Sequence, residues 1–214
     1  MAKNKYHRRS GAIMNRSDIP LAKRMAMQQQ KDIVQGREHS AKITLFCMSI
    51  ALNKLYGIGY KRLVRFSSAF KTINDEFYDD LEIGMAHAKR RMDQIGIPIS
   101  GEFFNLDFSH RTKKMQEVAK HSVHAVQTAL ICGTIAINET FGFGKEKLTK
   151  IHEEVGTLTA RYAKEGEAFL LQEMNRIGFI IVDNMAICCV DENDNAVPAK
   201  RAIEEGYLDA YIKK

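Results

Sequence analysis

The chain has 214 residues, 45% of them hydrophobic, and a formal net charge of +6, enough apolar material for one large or two small cores. Its longest apolar run, ITLFCMSIAL at 43–52, contains a serine and falls well short of the roughly 18–20 residues that cross a bilayer, and no apolar segment follows the basic start as a secretory signal requires. These features exclude a helical membrane protein and predict a cytoplasmic one with no membrane partner; Cys47, Cys132, Cys188 and Cys189 lack zinc or redox spacing and read as buried apolar residues of a reducing compartment.

The positive charge is concentrated at the start. Residues 1–43 hold ten Lys/Arg against three acids, while the remainder carries 22 basic and 23 acidic residues. Residues 1–39 therefore read as a basic, partly helical arm whose Arg8 and Arg9 are candidate phosphate contacts. Within it, LAKRMAMQQQKDIVQ (21–35) predicts an additional helix that orders on a partner or on the body of the protein. A first helical repeat follows at 40–97, with helices at about 40–56, 60–78 and 81–95, Ser40 as N-cap of the first and Gly57 at its end. Residues 98–114, with Pro98 and Gly101, form a connector.

A second helical repeat occupies 115–179, with helices at about 115–141, 145–163 and 165–177. The case for repetition lies in IALNKLYGIGYKRL (50–63) and IAINETFGFGKEKL (135–148), identical at six of fourteen positions without a gap. Beyond the turn, Leu63, Phe66, Phe70, Ile73 and Phe77 fall at the same offsets as Leu148, Ile151, Val155, Leu158 and Tyr162, a 3-4-3-4 spacing that lines one helix face. MDQIGI (92–97) then matches MNRIGF (174–179), with Gly96 and Gly178 ending the third helices. Residues 180–214 read as a short β hairpin or strand around DENDN and a last helix at about 199–212. The expected fold is thus mainly α, an internal duplication of a three-helix unit.

Each Gly-apolar-Gly turn presents backbone N–H groups at the start of a new helix, where the peptide dipoles favour an anion. In the first copy Lys61, Arg62 and Arg65 follow the turn; in the second Lys145, Lys147 and Lys150 do, with Glu146 among them. The candidate phosphate-binding residues are therefore Gly57, Gly59, Lys61, Arg62 and Arg65, with Gly142, Gly144, Lys145 and Lys147.

YGIGYKRL and FGFGKEKL resemble the turn of helix-hairpin-helix DNA-binding modules, with Leu63 and Leu148 where that family commonly has a small residue. The resemblance covers about a dozen residues per copy and implies phosphate-backbone contact without sequence reading, through Gly57, Gly59, Lys61, Arg62, Gly142, Gly144 and Lys147. The chain as a whole resembles small uncharacterised helical proteins of phages and prophages of Gram-positive bacteria, in which such FGFG strings recur.

Chemistry beyond binding has little support. His121 and His124 with Glu117, and His152 with Glu153 and Glu154, are titratable clusters, but Glu-x-x-His does not occur twice and no P-loop, dinucleotide fingerprint, nucleophile elbow or His-Glu-x-x-His string is present. No cofactor, metal or enzymatic activity is expected. The leading expectation is a non-enzymatic, phage-type nucleic-acid-binding protein acting through its arm and turns. The alternative is an inhibitor of a host factor or defence system that binds a host protein or sequesters a small nucleotide; a homo-oligomer with a structural role is a third reading.

Overall fold

The structure is a computed structural model, and it describes residues 21–99, 113–182, 185–187, 189–190 and 196–197. Among these residues six helices carry the fold: α1 Leu21–Tyr56, α2 Tyr60–Asp79, α3 Leu81–Ile95, α4 Lys113–Phe141, α5 Lys145–Glu165 and α6 Glu167–Ile177. After α6, β1 (Ile180–Val182) pairs antiparallel with β2 (Met185–Ile187), placing Ile180 opposite Ile187, and β3 (Cys189–Val190) pairs with β4 (Ala196–Val197). The chain is mainly helical, as its periodicity predicts. Among the described residues no helix is long and apolar enough to cross a membrane.

The predicted apolar stripes form the inner faces of α2 and α5. Leu63, Phe66, Ile73 and Phe77 are buried on α2, and Leu148, Ile151, Val155 and Leu158 on α5; each such side chain contributes about 1.5–3 kcal/mol relative to an exposed one. Phe70 and Tyr162 complete the stripes and are half-buried. Helix α3 starts at Asp80, whose carboxylate accepts from the N–H groups of Glu82 and Ile83 at 3.1 Å. It ends at Gly96, as α6 ends at Gly178, both in the left-handed region.

The first helix departs from expectation. It is one helix of 36 residues running through both Gly36 and Ser40, so Ser40 is not an N-cap; its carbonyl accepts from Thr44 Oγ1 at 2.9 Å within the helix. The segment 21–35 is the first half of this helix. A Cβ at Gly36 would lie 3.1 Å from Ser122 Oγ and 3.5 Å from Val118 Cγ1, so glycine here permits close approach of α4 and does not end the helix. The expectations for residues 1–20, for most of the connector and for a helix at 199–212 lie outside the described residues.

Helices α1 and α4 lie side by side and run parallel. Gln29 Nε2 donates to Glu117 at 3.0 Å, Gly36 faces Ser122, Met48 faces Gly133, and Tyr56 meets Phe143, so the contacts advance together along both helices. The helices that follow cross over: α2 packs chiefly on α4, and α5 on α1. Helix α5 runs antiparallel to α1, through His39 with Tyr162 (2.9 Å), Cys47 with Thr159 (3.9 Å) and Lys54 with Glu154 (2.7 Å). Lys42 of α1 pairs with Glu167 at the start of α6. The centre of the core, Cys47, Met48, Ala51, Leu52, Cys132, Ala136 and Ile137, is fully buried between the parallel helices and their partners.

Candidate functional site

Because α1 and α4 run parallel, the two Gly turns that end them come out at the same end of the bundle. They share one backbone. Gly57 has φ 60° and Gly142 φ 65°, and their N–H groups bond the carbonyls of Asn53 and Asn138 at 2.8 and 2.7 Å. The side chains of those asparagines then donate across each turn, Asn53 Nδ2 to Ile58 O at 3.1 Å and Asn138 Nδ2 to Phe143 O at 3.0 Å. Ile58 and Phe143 insert into the core, which fixes the direction in which each turn leaves its helix.

The second glycine of each turn has a different status from the first. Gly57 and Gly142 occupy backbone that disfavours a side chain. Gly59 and Gly144 have φ −81° and −83°, open to any residue, and a Cβ on either would meet nothing within 4 Å among the described residues. Neither conformation nor packing among the described residues demands glycine there. These residues are the exposed N-caps of α2 and α5 and supply no side-chain cap; at α2 the Arg62 N–H turns inward to Gly59 O at 3.0 Å.

Basic residues surround this surface. Lys61, Arg62, Arg65, Lys145 and Lys147 are all exposed, and none enters an ion pair among the described residues. Arg62 Nη2 reaches back to Gly57 O at 3.4 Å, and Lys145 lies against Gly96 at the end of α3. Lys150, by contrast, is paired with Glu146 at 3.0 Å, which holds its ammonium pKa above the usual range. The two turns also touch. The Tyr56 ring meets the Phe143 ring edge-on at 4.8 Å, Tyr56 Oη donates to Lys147 O at 3.3 Å, and Lys147 Nζ stands over Phe143 (4.5 Å) and Tyr56 (5.7 Å). Phe141 continues the aromatic row at 5.6 Å from Phe143. Sequence reasoning took these rings as apolar turn residues; their alternation with glycine and lysine in FGFGK was the available signal.

Residues 1–20, with Arg8 and Arg9, lie outside the described residues, and they join α1 at Leu21, the end opposite the turns, about 50 Å away at 1.5 Å per residue.

The histidine clusters resolve into structural contacts. Thr134, fully buried, donates its one hydroxyl proton to Leu130 O at 2.6 Å, so the 2.7 Å contact with His152 Nε2 requires that nitrogen to carry a proton and donate. Burial lowers the His152 pKa and keeps the ring neutral. His124 is lowered too, first by burial and then by Arg37 and His121. Glu117 turns towards Gln29 of α1. Among the described residues no three His, Cys, Asp or Glu side chains gather as a metal site.

Comparison with protein-family models, curated proteins and solved structures yields no match.

Proposed function

We propose that the turn end of the bundle binds the phosphate backbone of a nucleic acid. The observation that carries this reading is the pair Gly59 and Gly144, glycine at two N-caps where nothing among the described residues needs it. A bare N-cap lets a phosphate oxygen approach the helix N–H groups closely, and the aligned peptide dipoles favour its charge. Lys61, Arg62 and Arg65 at one turn and Lys145 and Lys147 at the other supply exposed positive charge around those groups. The site rests on an internal duplication, supported by the matched turn geometry, by the reciprocal packing of α2 and α5, and by the position of Gly96 against Lys145 where Gly178 lies against Tyr60. The arm acts apart from this surface, as long-range attraction for the same polyanion.

The test is a fluorescence-anisotropy titration of labelled nucleic acid over a range of salt. Affinity falls linearly in log–log form with salt, and Lys61→Glu with Arg62→Glu lowers both affinity and slope. Absence of binding at low salt, or a double variant indistinguishable from the parent, overturns the proposal.

A further inference from the structure

Phosphate contacts alone do not distinguish paired from unpaired strands, but the turn end carries more than cations. Tyr56 and Phe141 are the last residues of the two parallel helices, and both are half-buried and pack against the core. Phe143 sits between them, and Lys147 stands over Phe143 and Tyr56, so an ammonium adjoins the aromatic row. Beyond Tyr56 on the first turn, Lys61, Arg62 and Arg65 are exposed. A cationic strip beside partly exposed rings suits a strand whose backbone follows the charges while its bases meet the rings. A duplex keeps its bases stacked inside and offers such rings no partner.

We infer that the turn end takes unpaired nucleotides, holding bases against Tyr56 and Phe141 and phosphates on Lys61, Arg62, Arg65 and Lys147. This inference rests on the phosphate-binding reading and narrows it to single strands.

The full chain is titrated with short labelled oligo(dT) and oligo(rU), with a duplex of equal length, and with inorganic polyphosphate as a competitor that lacks bases. The oligonucleotides bind more tightly than the duplex. Tyr56→Leu with Phe141→Leu costs them about tenfold, while polyphosphate competition is unchanged. Because the chain contains no tryptophan, Tyr56→Trp adds a single probe, and its emission is quenched by either oligonucleotide and not by polyphosphate. A preference for dT or rU identifies the strand chemistry and supports the inference either way. Equal affinity for duplex and single strand, an unquenched indole probe on saturation, or equal losses for oligonucleotide and polyphosphate in the Leu variant overturns it while leaving phosphate binding intact. Failure of all four ligands to bind removes the phosphate-binding reading itself.

Discussion

Met48 fills the space that a side chain at Gly133 would need. A Cβ built on Gly133 falls 2.4 Å from Met48 Sδ and 2.7 Å from its Cε, and Met48 is fully buried. The two residues stand 85 positions apart, the offset that relates the two turns, so a large and a small residue share the line along which α1 and α4 meet. Gly133→Ala therefore overpacks the centre of the molecule, and a loss of about 1–3 kcal/mol is expected in urea unfolding. Adding Met48→Val to that variant recovers part of the loss, and a double variant no more stable than Gly133→Ala alone contradicts the assignment.

The two glycines of each turn separate by experiment. Gly57→Ala forces a Cβ into left-handed backbone and costs about 1–2 kcal/mol. Gly59→Ser introduces a capping hydroxyl at unstrained backbone and leaves stability unchanged or raised by a few tenths of a kcal/mol, roughly the gap between glycine and serine caps. Nucleic-acid affinity moves in the other sense at Gly59, where the new side chain occupies the space of the phosphate. Thermal midpoints and anisotropy on the two variants check both halves.

Protonation of His152 is disfavoured in the folded state, because its pKa is lowered by burial from the usual 6.5. A depressed histidine pKa means that the unfolded chain binds the proton more readily. The stability held above about pH 6.5 is then lost as pH falls through the folded pKa, and His124 adds in the same direction. Urea midpoints between pH 7.5 and 5 fall accordingly. His152→Gln retains a donor to Thr134 and flattens that dependence; an unchanged slope would show that other groups govern it.

The thiols of Cys47 and Cys132 are pushed up to about 11 and about 12 by burial, the Thr159 hydroxyl opposing the shift at Cys47. Neither forms appreciable thiolate near neutral pH, and both are sealed in the core. In a Cys188→Ser, Cys189→Ser background, iodoacetamide labels both only as fast as the protein opens, and the two rates coincide because α2 packs on α4 and α5 on α1 in one shared core. A large difference between the rates would separate the halves.

Much of the helix pattern was legible because its causes are local. The apolar spacing from Leu63 to Phe77 and from Leu148 to Tyr162 follows the helical period, and glycines at 57, 96, 142 and 178 mark ends through positive φ. The capping rule misplaced the start of α1, since Ser40 carries the residue type of a helix start while it lies in a helix interior, its carbonyl bonded by Thr44 Oγ1. Periodicity states that a face is buried, not what covers it, so the exchange of α2 and α5 between halves was not readable. The direction of α1 relative to α4 was equally hidden. It decides that the two turns lie together and the arm enters far from them.

The two turns share a backbone but not their side chains: Lys61 and Arg62 follow Gly59, whereas Lys145 and Glu146 follow Gly144, and Lys147 stands over the Phe143 ring of its own turn. Were both halves alike, a bound strand would fit equally well in either orientation. With unequal ends it has a preferred sense, so under the proposed function the protein reads 5′ from 3′ even where it does not read bases. A matched frame that carries unmatched side chains has a polarity.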